Sequence, residues 1–211
     1  MTDGAERRDK IELVAVVLLA IATVATAWSG YQSTRWNGEQ AKAAGRSNAL
    51  RIESAKAAGL ANSQTQIDVA SFTQWVNAYS LKQTELADFY FKRFRPEFKP
   101  AVAAWIATRP LKNADAPPTP FAMPQYKLAA RAQSERLEAQ ADVFAGKVLV
   151  NIQRASNYVL AVVLFASALF FAGMSTKLTA PKLRVAMFTI GCVVFLGTAV
   201  WIATSPVSVS V

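Results

Sequence analysis

Three apolar stretches, residues 11–28, 158–174 and 185–202, constrain this chain more than any other feature. Each has about the ~17–25 residues that carry a helix across a hydrocarbon core. Glu12, at an edge, is the only Asp, Glu, Lys or Arg among them. Lipid offers no hydrogen-bond partners to an open backbone, so runs of this kind are read as helices. With 53% apolar residues and a mean hydropathy of +0.20, the composition fits a membrane class better than a soluble one. The expected fold is an all-α membrane protein with three transmembrane helices, the first two extended into a helical extramembrane projection between them. The segments then read as a tail (1–10), a span (11–29), a projection (30–156), a span (157–174), a loop (175–184), a span (185–203) and a short tail (204–211).

The first run also has features of a secretory signal, because Arg7, Arg8 and Lys10 precede it and Ala25-Thr26-Ala27 has the small-x-small form of a cleavage site. It is slightly long for one, and Trp28, Tyr31 and Trp36 after it are residue types that settle at a membrane interface. Orientation follows from the short flanks. Three spans place the amino tail and the 175–184 loop on one side, and together these carry Arg7, Arg8, Lys10, Lys177, Lys182 and Arg184. By the positive-inside rule that side is cytoplasmic. Trp28, Tyr31, Trp36, Tyr158 and Trp201 fall on the other side as candidate interfacial anchors. The expected location is the inner (plasma) membrane, multi-pass, with a cytoplasmic amino terminus and the lipid bilayer as first partner.

Beyond Trp36 the sequence is rich in Ala, Gln, Glu, Lys and Arg and has no proline up to Pro96, so the first helix is expected to leave the membrane and run on to about Asn62. Ala41, Gly45, Asn48, Ile52, Ala55, Gly59, Asn62 and Gln66 recur at alternating spacings of four and three, a candidate helix-packing seam of coiled-coil type. Small residues let helices approach closely, and a buried Asn can fix register. A weak capping signal at Thr65 and Asp68 suggests a turn near 62–66. Val69, Phe72, Val76, Tyr79, Leu86 and Tyr90 then mark the apolar face of a bulkier helix that Pro96 ends. Seven of the nine prolines lie between 96 and 124, which reads as a connector, with a short helix over 101–108. After Pro124, Leu137, Ala141, Phe144, Val148, Ile152, Ala155 and Val159 follow a helical period into the second span. The two extensions would each reach roughly 50 Å at ~1.5 Å per residue, and their equal lengths suggest an antiparallel stalk.

The net charge of +9 divides into −1 for the amino tail with Glu12, +3 for the short loop and +7 for residues 30–156. Its densest part is DFYFKRFRPEFKP, where Lys92, Arg93, Arg95 and Lys99 alternate with aromatics and form a candidate contact for an anionic lipid or envelope polymer. The competing reading is a core helix whose last turn places cations against the helix dipole. Nucleic acid is disfavoured for an extracytoplasmic region.

Catalysis has little to stand on. The chain has no histidine and one cysteine, Cys192, so a histidine base, a His/Cys metal site and an intrachain disulfide are excluded. The ten carboxylates of residues 30–156 form no tight cluster, and no phosphate-cradling glycine motif or nucleophile elbow occurs. No catalytic, cofactor-binding or metal residue is assigned, and no cofactor is expected. The spans lack the ionisable residues of ion-coupled carriers, while Gly191 and Gly197 in the third are candidates for close helix approach.

In AWSGYQSTRWNGEQ, NSQTQIDVASFTQW, ELADFYFKRFRPEFKPAVAAWIATRP and NIQRASNYVLAVVLFASALFFAGMSTKL the chain resembles a family of uncharacterised bacterial integral-membrane proteins. The resemblance implies an inner-membrane location and a helical architecture, and brings no catalytic or binding residue with it. The function expected from the residues is that of a non-enzymatic scaffold or accessory subunit, acting through helix-helix association as a homo-oligomer or with a membrane-protein partner. The alternatives are an extracytoplasmic ligand sensor working through a partner and a subunit of an oligomeric pore.

Overall fold

In AWSGYQSTRW the one glycine is too weak a breaker to end a helix whose neighbours all tolerate one, and the helix does not end there. The computed structural model describes residues 2–209, with side chains from residue 12; the amino-tail cations Arg7, Arg8 and Lys10, as side chains, and residues 210–211 lie outside that range. Helix α1 spans Thr2–Ser80 without interruption. It is followed by α2 (Thr84–Arg93), α3 (Lys99–Ala107), a short 3-10 turn (Pro120–Ala122), α4 (Ala129–Lys177) and α5 (Pro181–Ala203). The described residues contain no strand. Pro100 and Pro181 stand in the first turns of α3 and α5, where the missing N–H is not needed. The expected turn at 62–66 is absent. Thr65 Oγ1 donates to the Ala61 carbonyl one turn back, at 2.9 Å, and caps nothing.

Two compact units divide the chain, residues 1–45 with 144–211 and residues 46–143, and α1 and α4 contribute to both. Three helices are long and apolar enough to cross a membrane: α1 in its amino-terminal part, α4 in its carboxyl-terminal part, and α5. In the first unit they meet through small side chains. Ala22, Ala161 and Ala168 pack with Phe165 and Phe195, while Val17, Ile21, Val163, Phe170, Val193 and Leu196 point outward. Large apolar side chains outside and alanines inside suit a bundle solvated by lipid, where close approach rather than water exclusion holds helices together. Gly191 sits where α5 lies close against the backbone of α4. A methyl group added there would stand 3.1 Å from the Ala172 nitrogen and 3.3 Å from the Ala168 carbonyl, whereas one at Gly197 would meet nothing within 4 Å.

In the second unit α1 and α4 run antiparallel. Ser47 Oγ donates to the Ala141 carbonyl at 3.0 Å, and Ser54 Oγ to the Ser134 carbonyl at 3.0 Å. Ala61 packs on Leu128 and Ala130. Beyond it an aromatic core gathers Trp75, Phe94 and Phe98 with Phe72, Trp105, Phe121 and Tyr126. Phe98 and Phe121 stack at 5.1 Å with 7° between their planes. The single helix expected up to Pro96 is broken at residues 81–83, between α1 and α2, and its expected face of Val69, Val76, Tyr79 and Leu86 is exposed; α1 instead buries Asp68, Trp75 and Ala78 with Phe72 half-buried, and Tyr90 is half-buried on α2. The reason is continuity: with no break after Ala61, the seven-residue spacing 47, 54, 61, 68, 75 carries the buried stripe onward. On α4 the expected face holds at Ala141 and Ala155, whereas Ile152 and Val159 are exposed and the buried positions pass to Ala155, Tyr158 and Ala161.

Candidate functional site

All eight residues of the candidate seam, Ala41, Gly45, Asn48, Ile52, Ala55, Gly59, Asn62 and Gln66, are exposed. The residues that α1 buries over the same length, Ala43, Ser47, Ser54, Ala57 and Ala61, follow the same spacing two positions on. Two residues are about 200° of helix, so the seam lies on the face away from the chain's own packing. A methyl group at Gly38, Gly45 or Gly59 would meet nothing within 4 Å, so no intrachain contact requires these glycines. Asn62 is the seam residue tied back to the chain, its amide oxygen accepting from Arg131 at 3.3 Å.

Asp68 is wholly buried and centres a polar cluster that joins three segments. Arg95 Nη1 donates to Asp68 Oδ2 at 2.8 Å, the Tyr126 hydroxyl donates to the same oxygen at 3.1 Å, and Arg95 Nη2 pairs with Glu97. Glu97 Oε1 then accepts from the Ala129 backbone N–H at 3.2 Å, satisfying a free donor at the start of α4. Burial pushes the Asp68 carboxyl above its ordinary value against the pull of Arg95 and Tyr126. Burial likewise raises the Tyr126 phenol, keeping it a neutral donor.

The basic stretch 88–100 is divided between roles. Phe94 and Phe98 are core residues, and Arg95 is committed to Asp68 and Glu97. Arg93 lies over the Phe89 ring at 3.7 Å, and Lys99 Nζ donates to the Lys92 carbonyl at 2.7 Å. Of its four cations, Lys92 and Arg93 are exposed. The alternation of charge and aromatic thus follows a helix end folded over a core, with Pro96 turning the chain so that Phe98 falls inside.

Of the aromatic anchors, Trp28 and Tyr31 are exposed side by side with ring centres 5.9 Å apart. Trp201 is half-buried against the cluster around Ala22. Trp36 and Tyr158 are buried and aim their donors at one acceptor: Trp36 Nε1 and the Tyr158 hydroxyl each donate to the Pro206 carbonyl at 3.2 Å. The guanidinium of Arg154 lies 4.5 Å from the Trp36 ring. Gln32, wholly buried, accepts from the Ser208 N–H at 2.9 Å, so the segment after α5 is held by α1 and α4. Sequence patterns gave no sign of this clamp, since its partners are 48 to 176 residues apart. The Asp68 cluster did leave a sign, a carboxylate standing in the seven-residue stripe between Ala61 and Trp75.

These features define an all-helical protein with three helices of membrane-spanning length and a separately packed helical unit. Compared with protein-family models, with curated proteins and with solved structures, the chain matches none.

Proposed function

We propose that this is a non-enzymatic integral protein of the bacterial inner membrane, a scaffold or accessory subunit that works by helix-helix association along the outer face of α1. The observation that carries the reading is the exposed seam itself. A glycine inside a helix is about 1 kcal/mol less favourable than alanine, and Gly38, Gly45 and Gly59 recur on this face with no neighbour that needs them. Their use is to let the backbone of another helix come close, a second copy of this chain or a membrane-protein partner. Asn48, exposed between them, would fix the register of such a coiled-coil pair. The cytoplasmic amino terminus rests on the cations flanking the spans, and the bacterial membrane on the family resemblance.

Light scattering on the detergent-solubilised protein tests the association. The wild type should have the mass of an oligomer, and Gly45→Leu and Gly59→Leu, whose side chains fit the isolated chain freely, should each reduce it towards the protomer. A monomeric wild type unaffected by either change would remove the self-association reading.

A further inference from the structure

Beyond the aromatic core of the second unit, the ends of α1 and α3 enclose a two-lobed groove. One lobe, of about 350 Å³, is walled by Trp75, Tyr79, Trp105 and Leu111. The other, of about 850 Å³, shares Trp75, Tyr79 and Leu111 and extends to Ala87 and Phe91. These walls are apolar and open. Leu111 is 84% exposed, and Tyr79, Val76 and Ile106 are exposed beside it. The charges on the groove are unequal: Lys82, Arg109 and Lys112 line it against the single carboxylate of Asp88. None of the three cations forms an ion pair with a described residue.

Two of those cations occupy unusual backbone. Lys82 (φ 58°) and Arg109 (φ 52°) are the only non-glycine residues with positive φ among the described residues, and both flank this groove. Lys82 follows the end of α1, where its N–H bonds the Tyr79 carbonyl and the Gln83 N–H bonds the Ala78 carbonyl. Arg109 follows the end of α3 with its N–H on the Ile106 carbonyl. At such helix ends the left-handed position is ordinarily glycine. A cation is favoured by the helix dipole anywhere in the last turn, so neither helix needs one at the single position where a side chain is strained. Strained residues of this kind collect where a side chain is needed for something other than the fold.

We infer that this groove binds an anionic phospholipid withdrawn from the bilayer, one acyl chain lying against Trp75, Tyr79, Trp105 and Leu111 and the phosphate met at the cationic rim that Lys82 and Arg109 supply. Apolar walls with a cationic edge match an amphiphile of that charge. The site shares Asp88 and Phe91 with the basic stretch 88–100 but none of its cations Lys92, Arg93, Arg95 and Lys99, and it is independent of the association seam on α1.

Photolabelling of the full-length protein in nonionic-detergent micelles tests the assignment. The probes are phosphatidylglycerol and phosphatidylcholine carrying the same acyl-terminal diazirine, and labelled peptides are read by mass spectrometry relative to α5, which any lipid should reach. Phosphatidylglycerol should label peptides containing Tyr79 or Leu111 at least about fivefold more than phosphatidylcholine does. In Lys82→Gly with Arg109→Gly that preference should fall to near one while the melting temperature holds or rises, because glycine relieves both strained positions. Equal labelling by the two lipids, a preference unchanged in the double variant, or no labelling of the groove would overturn the proposal. The last outcome would leave the groove to a protein partner.

Discussion

At Asp68 the direction of a pH effect follows from its surroundings. Burial outweighs the Arg95 pair and the Tyr126 bond, so the folded carboxyl holds its proton above the ordinary 3.8. Glu97 adds to the upward push from beside Arg95. The folded state therefore binds a proton that the unfolded chain has already released. The stabilisation this gives is complete below 3.8 and is lost as pH rises through the folded value. Near-ultraviolet circular dichroism of the second unit should show a melting temperature that climbs as pH falls through that window, and Asp68→Asn should flatten this part of the profile. A wild type that loses stability on acidification there, with the loss removed in the Asn variant, would mean that Arg95 dominates.

Among the elements, the two glycines of α5 separate a packing role from mere tolerance. Gly191→Ala drives a methyl group against the backbone of α4 and should cost about 1–3 kcal/mol, as overpacking does. Gly197→Ala, facing open space, should be neutral or slightly stabilising because alanine is the better helix former. Thermal melts of the two variants in detergent check the contrast. Only one of the pair could be chosen from structure, although the sequence presents both alike. The same limit applies to α1. Its spacing of fours and threes was readable, but its register was not, since Ala41 and Gly45 on one face and Ala43 and Ser47 on the other offer no contrast in size. Hydrophobic patterning identifies a buried face when large and polar residues alternate, and a helix of small residues withholds that signal. Hence the helical class, the three spans and the proline-rich connector were legible, while the Asp68 cluster and the tail clamp depended on partners brought together by folding.

For the molecule as a whole, the topology decides which compounds the second unit can meet. In a Cys192→Ser background, Gln133→Cys should be labelled by an impermeant thiol reagent in intact spheroplasts, and Thr179→Cys only after permeabilisation. Both positions are exposed, unlike Ser134, whose hydroxyl lies 3.0 Å from that of Ser54. The expectation rests on the cations flanking the spans. Reversed labelling would place the second unit and its groove on the cytoplasmic side.

The small and polar character of the buried stripe on α1 has a consequence during synthesis. Ser54 is translated 80 residues before Ser134, the residue that receives its hydrogen bond. At ~5–20 residues per second the stripe waits roughly 4–16 s for its partner. A stripe of leucines left uncovered for that interval would invite the wrong neighbour. Ser47, Ser54 and Asp68 can be hydrated through the delay, so the nascent helix stays soluble until α4 emerges to cover it.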